Sequence, residues 1–213
     1  MLFVARAVCR GTKRLFVVGD MPLGSYEVSN ELAVLNALRF MKEVGDRPCN
    51  AVKVEAFRPS HLERIAAIAD LCPVVMHIGL NPNKAEMLGG YRTQGKTLES
   101  VSHLIRLALE GEKAGACMIL IESVTEEVSQ KIRDLVDIPV LGIAAGRKLD
   151  GQLLISSDLL GLYEWPGNVK PRHFKTYKAN KAGLTPAGLV LEAYSWYVEA
   201  VKNGEFPRKE NSH

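Results

Sequence analysis

Apolar residues along this chain fall into two patterns that alternate with each other. Short segments dominated by apolar residues, Leu15–Gly19, Ala51–Glu55, Pro73–His77, Cys117–Glu122, Pro139–Ile143 and Gln152–Ser156, predict strands. Between them, apolar residues recur every three or four positions, which predicts amphipathic helices. Ser29–Val44 turns Leu32, Leu35, Ala37, Leu38, Phe40 and Met41 inward, with Ser29 or Asn30 as its cap. Pro59–Leu71 turns in Leu62, Ile65, Ile68 and Ala69, with Ser60 near its start. Leu98–Ala114 and Thr125–Val136 repeat the pattern, Met1–Arg10 has helix-like composition, and Leu189–Val201 is the closing helix. Tyr163–Lys181, rich in Lys and Arg, reads as irregular, and Gly204–His213 as a polar tail.

Strands of about five residues alternating with helices imply right-handed βαβ units around a parallel sheet with helices on its faces. Six strands are counted where a TIM barrel has eight. The expectation is one incomplete β/α-barrel domain over residues 1–213 that opens in the last turns of a helix, as if two βα units came before it.

Composition narrows the partners. The net charge is +3 with acids and bases interspersed, so no basic stripe argues for nucleic acid. No apolar run reaches the roughly 18–20 residues of a membrane span, and Arg6 and Arg10 interrupt the first residues too soon for a secretory signal, so a cytoplasmic protein is expected. Cys9, Cys49, Cys72 and Cys117 lack metal-ligand spacing, and buried free thiols are expected. A small-molecule partner fits best.

The chemistry-bearing residues sit at strand ends. Alternate residues of a strand share a face, so Phe16, Val18 and Asp20 point one way, as do Met118, Leu120 and Glu122. Lys53 and Glu55 share a face at the end of their strand, and His77 terminates the next. In a barrel these carboxyl ends form the catalytic rim. Each residue also has a structural reading: Asp20 as a turn former, Lys53 with Glu55 as an ion pair, His77 as a hydrogen-bonded core residue, and Glu122 as a helix cap. Their joint position favours a site, because buried charges cost several kcal/mol each unless paired or bound to a metal.

The stretch Met76–Lys96, MHIGLNPNKAEMLGGYRTQGK, holds four glycines and a proline and reads as a long loop over that rim. G-x-S-x-G, GxxxxGK[ST] and HExxH are all missing, which removes the signatures of acyl transfer, P-loop chemistry and zinc proteolysis. Carboxylates around a hard cation, with one more acid as base, suit proton abstraction beside a carbonyl. Ile143–Gly146, IAAG, is a weak candidate for an anion-binding turn.

Several words, in order, resemble one family: VVGDMPLGSYE (Val17–Glu27), AVKVEAF (Ala51–Phe57), Met76–Lys96, ILIESV (Ile119–Val124), IPVLGIAAG (Ile138–Gly146), LDGQLLISSDLLGL (Leu149–Leu162) and the closing GEFPRKENSH. They resemble the 3-methyl-2-oxobutanoate (ketopantoate) hydroxymethyltransferases over essentially the whole chain. The resemblance implies an α/β fold, a TIM-type (β/α)8 barrel of the phosphoenolpyruvate/pyruvate superfamily, in a homo-oligomer. It implies Mg2+ and 5,10-methylenetetrahydrofolate acting on a small keto acid in pantothenate synthesis. Carried over by motif, Asp20 and Glu55 resemble metal-site acids, Lys53 and His77 substrate-binding residues, and Glu122 the catalytic base. Such enzymes also carry an earlier GDSLG-type word with a further metal-ligand aspartate, which this sequence lacks, and Ala56 and Phe57 replace the usual glycines. Two alternatives remain: a non-catalytic truncated relative serving as a binding or assembly subunit, and a folate-independent, metal-dependent keto-acid lyase.

Overall fold

The structure is a computed structural model that describes residues 1–45, 47–163, 175–178 and 185–211. Six strands, β1 (Val18–Asp20), β2 (Ala51–Glu55), β3 (Val74–Gly79), β4 (Ala116–Glu122), β5 (Val140–Ile143) and β6 (Gly151–Gln152), form one sheet in sequential order. Every pairing is parallel. Parallel neighbours need a crossover, and helices supply it for all but the last pair: α1 (Leu2–Gly11) precedes β1, α2 (Asn30–Lys42), α3 (Pro59–Ala69), α4 (Leu98–Lys113) and α5 (Glu126–Arg133) connect β1 to β5, and β5 reaches β6 without a helix. The result is a half-barrel with β1 and β6 at its edges. Among the described residues, the α-helices α6 (Ser156–Leu160) and α7 (Pro186–Lys202) follow β6.

The two faces of the sheet do different work. Val52, Val54, Val74, Met76, Ile78, Ile119 and Ile121 point toward the helices and pack with Phe40, Ile65, Ile68, Leu104 and Ile132 in the main core. At about 25 cal/mol per Å2 of apolar surface removed from water, that layer is the principal source of stability. On the opposite, concave face Ala51, Val75 and Leu120 form a second, thin cluster with Met118 and Leu141. Two residues further along the same strands, on the same face, come Lys53, His77 and Glu122. A small apolar floor thus underlies a polar rim.

The helix ends follow the sequence closely. Ser29 caps α2, its hydroxyl accepting from the Leu32 N–H at 3.2 Å, and Thr97 caps α4 by accepting from Ser100 N–H at 3.2 Å. Ser60 caps nothing: α3 begins with Pro59 in its first turn, Arg58 is the N-cap position, and no side chain caps it. The buried stripe of α2 is Ala33, Ala37 and Phe40, while Leu35 is 60% exposed. Small residues face the sheet there because Phe40 fills the space over Gly19, where a Cβ would lie 2.4 Å from its ring.

Other expectations are corrected. Leu15 and Phe16 are exposed, and the first strand starts only at Val18. Gln152–Ser156 is not a strand: β6 ends at Gln152, Ser156 already opens α6, and Ile155 is half exposed. The long loop is partly ordered by repeating hydrogen bonds, since β3 runs on to Gly79 and Pro82–Leu88 forms a 3-10 helix closed by Gly89 at φ 81°. The tail is not simply polar, because Phe206 and Asn211 are buried. Most of Tyr163–Lys181 lies outside the described residues. The four cysteines are free; Cys9, Cys49 and Cys72 are buried and Cys117 is partly so. No helix among the described residues is long and apolar enough to cross a membrane.

Candidate active site

The five singled-out residues meet on the concave face at the carboxyl ends of β1 to β4. Lys53 lies beside Asp20 in register, and its ammonium stands 2.9 Å from Asp20 Oδ1. On its other side Lys53 Nζ is 3.3 Å from His77 Nδ1. His77 Nε2 in turn lies 3.3 Å from Glu122 Oε2. The angles at Asp20 and at His77 Nε2 fall short of hydrogen-bond alignment, so these two contacts are electrostatic in the resting geometry. Lys53 therefore pairs with Asp20 and His77, not with Glu55 as an ion pair would require. Glu122 does not cap α5 either, whose N-cap is Thr125 without a side-chain bond.

Proton positions follow from donor counting. A lysine ammonium only donates, so His77 Nδ1 accepts from it. Nε2 then carries a ring proton and faces Glu122. A continuous polar line thus runs from Asp20 through Lys53 and His77 to Glu122, crossing four strands.

Glu55 stands beside this line with different partners. It is 2% exposed, Oε1 accepts from the Asn83 N–H at 3.4 Å, and Oε2 is buried with no hydrogen-bond partner. Burial pushes its carboxyl above the ordinary value, outweighing the attraction of His77 and Lys53 and the Asn83 N–H, while Asp20 pushes in the same direction as burial. An orphaned buried carboxylate oxygen costs free energy unless something binds it.

Glu55 and Asp20 are the acids here that could hold a hard divalent cation. Mg2+ is commonly held by one or two carboxylates and keeps several waters and substrate oxygens, and Glu55 with Asp20, whose side chain is 46% exposed, supplies two. Among the described residues no group of three or more His, Cys, Asp or Glu forms a closed cage. The donor set suits an open, hard-cation site and not a structural zinc site.

Residues outside the five complete the arrangement. Tyr26 is fully buried, and its hydroxyl accepts from the Glu55 N–H at 3.3 Å. Burial, with the charges of Glu27 and Glu55 adding to it, holds that phenol well above its ordinary pKa, so it stays protonated. Asn81 is fully buried and ties the loop to β3, its Nδ2 donating to the His77 carbonyl at 3.1 Å. Lys84 Nζ closes a 2.6 Å ion pair with Glu27 Oε1, bridging the loops after β3 and β1. These residues belong to words quoted from the sequence, yet no periodicity marks them; the polar Asn81 just beyond an apolar strand was the available signal. Gly79, at φ 90°, is required here, because a Cβ would meet the Glu122 carbonyl oxygen at 2.3 Å.

A sequence profile described as ketopantoate hydroxymethyltransferase matches residues 1–209. The chain belongs to this family. It is 40% identical over 213 residues to 3-methyl-2-oxobutanoate hydroxymethyltransferase of Campylobacter jejuni, covering 100% of this chain and 72% of the relative. The family member of Clostridium beijerinckii is 39% identical over the same length, covering 73% of that protein. The Alkaliphilus metalliredigens member is 44% identical over 203 residues, or 95% of this chain and 67% of the relative. Among solved structures, a phosphoenolpyruvate phosphomutase from Streptomyces platensis subsp. rosaceus superposes with a TM-score of 0.53 at 15% identity, over 97% of this chain and 78% of that one. A 2,3-dimethylmalate lyase of the PEP mutase/isocitrate lyase superfamily gives 0.51 at 14% identity, over 95% and 77%. Both agree with the fold expected of the family, a partial TIM-type barrel.

Proposed function

We propose that the rim catalyses hydroxymethylation of 3-methyl-2-oxobutanoate to 2-dehydropantoate, the reaction its relatives are named for, with 5,10-methylenetetrahydrofolate as the one-carbon donor. The observation that carries this reading is the line from Asp20 to Glu122, which leaves a carboxylate at the open end of a charged and hydrogen-bonded series.

Glu122 acts as the base. Its carboxylate takes the C3 proton, and the C–H bonding electrons pass into the enolate π system. His77 holds Glu122 in place through Nε2–H, and Lys53, paired with Asp20, supplies a cation for the keto-acid carboxylate or the developing oxyanion. C3 then forms a C–C bond to the donor methylene carbon, both C–N bonds of that carbon break, water supplies the hydroxyl group, and the C3 proton and the remaining proton of water end on the two donor nitrogens. Asp20 and Glu55 would hold Mg2+, which when bound draws negative charge toward the substrate oxygens. On this reading the partners are a small keto acid and a folate, and the setting is a cytoplasmic homo-oligomer serving coenzyme A synthesis.

The test is NMR of 3-methyl-2-oxobutanoate in D2O with the protein and Mg2+, with and without tetrahydrofolate. Loss of the C3–H signal, abolished by Glu122→Gln, supports the enolate step, and product formed only with methylenetetrahydrofolate separates transferase from lyase. Absence of exchange in folded protein at saturating Mg2+ overturns the proposal for this chain and favours the binding or assembly reading.

A further inference from the structure

Beside the rim lies a second cleft that the reaction above does not use. It has a volume of about 260 Å3, and Arg58, His61, Arg64 and Lys84 line it together with Phe57 and Met87. Its position is set by the segments that hold Glu55: Lys84 follows Asn83, whose N–H meets Glu55 Oε1, and Glu27, which also borders the cleft, follows Tyr26, whose hydroxyl meets the Glu55 N–H. The cleft opens at the amino end of the 11-residue α3, which no side chain caps.

We propose that this cleft is a subsite for a carboxylate or phosphate group carried by a small molecule with an apolar body. Three cations and one acid line it, that acid is already satisfied, and outside the lining Arg64 has a 3.8 Å contact with the exposed Glu63. Glu27 Oε1 is held by Lys84, and Oε2 accepts from the N–H groups of Gly24 and Tyr26 at 2.8 and 3.3 Å. Lys84, 8% exposed, has two further ammonium protons. Arg58 lies over the Phe57 ring at 4.9 Å, and Arg64 reaches Asn30 while its buried Nε has no partner.

His61 is the observation that points to a ligand. The ring is 9% exposed, and its Nδ1 accepts from the Phe57 N–H at 3.2 Å. Nε2 must then carry the proton, and that N–H has no protein partner among the described residues while the ring borders the cleft. Burial, reinforced by Lys84 and the two arginines against the pull of Glu27, keeps the imidazole neutral. An unpartnered N–H donor on a largely buried ring, three cations and an uncapped helix end border one small volume, with Phe57 and Met87 as its apolar side. An anion placed there would sit next to the Glu55 segment, so its use by a reactant rests on the reading above, whereas the binding itself does not.

The test is direct binding, measured by calorimetry at low ionic strength with inorganic phosphate and, separately, with γ-linked triglutamate. 15N NMR follows the His61 Nε2–H resonance in parallel. At least one probe is expected to bind one per chain and to shift that resonance. Arg58→Gln, a change of an exposed side chain, should weaken binding about tenfold, and Arg64→Met should weaken it further. Tighter binding of triglutamate identifies a carboxylate ligand, and tighter binding of phosphate a phosphorylated one. A donor KM raised by Arg58→Gln at constant kcat makes the ligand part of a reactant; an unchanged KM makes it a separate effector. No binding of either probe, or binding that leaves His61 unshifted and is insensitive to Arg58→Gln, overturns the proposal, whether or not the enzyme proves active.

Discussion

Lys53 Nζ lies 3.3 Å from His77 Nδ1, and this contact between neighbouring strands decides which nitrogen of the imidazole carries its proton. With Nδ1 accepting, Nε2–H faces Glu122, and the base is oriented from behind. Lys53→Met should leave the fold intact, because the side chain stands on the concave face outside the main core. It should lower kcat by about 10²–10³-fold, since a positioned charge and a tautomer are lost together. Steady-state kinetics with 15N NMR of His77 checks this. A kinetic loss without a tautomer change would assign Lys53 to substrate binding alone.

Glu55 is a liability until something neutralises it. Its carboxylate is buried, lifted above its ordinary pKa by burial, and has one oxygen without a partner. Glu55→Gln keeps the shape and removes the charge, so the metal-free protein should become more stable by about 1 kcal/mol, or about 2–4 °C in Tm for a chain of this size. The same variant should lose the Tm increase that Mg2+ gives the unsubstituted protein. Thermal unfolding with and without Mg2+ measures both. Equal Mg2+ stabilisation of the two proteins would remove Glu55 from the metal site.

Much of this site was legible because strand periodicity is a strict rule. Alternation ended two same-face series in Asp20 and Glu122 and set Lys53 and Glu55 on one face of their strand, His77 was read as a strand terminus, and the parallel register brings the five together. The pairing within the set was not legible. Lys53 and Glu55 are two apart on one strand, yet Lys53 turns sideways to Asp20 and His77, a choice made between strands. Leu15–Phe16 and Leu153–Ile155 misled for a related reason: apolar runs predict strand, but a strand also needs a neighbour, and at the edges of an open sheet few neighbours exist. Tyr26 was hidden because its role is a single hydrogen bond to the Glu55 backbone.

Gly79 links the fold to the base. At φ 90° it takes a conformation costly for other residues, and an added Cβ would strike the carbonyl oxygen of Glu122, a backbone atom that cannot turn aside. Gly79→Ala should therefore destabilise by about 2–3 kcal/mol, lowering Tm by about 4–12 °C, and should reduce kcat by displacing Glu122. Substrate affinity, set on β2 and β3, should change less. A variant with full stability would show that β3 and β4 can separate there without cost.

The Glu27–Lys84 pair should govern the first part of acid unfolding. Burial raises the Glu27 pKa, but the hydrogen bond from Lys84, the Tyr26 N–H, the Lys84 charge and the Gly24 N–H together bring it below the ordinary 4.5. In the unfolded chain the carboxyl takes up its proton near 4.5, whereas in the folded chain it does so only at lower pH. The stabilisation is therefore complete above 4.5 and is lost as pH falls through the lower folded value. Lys84→Met removes the bond that holds the pKa down and leaves a largely buried carboxylate without its cation. The variant should be less stable than the original by about 2 kcal/mol at pH 7, and the gap should shrink as pH falls through the lowered folded pKa of Glu27. Urea unfolding at pH 7, 4.5 and 3 gives the comparison. A gap independent of pH would mean that Lys84 stabilises through the packing of its methylene stem and not through its charge.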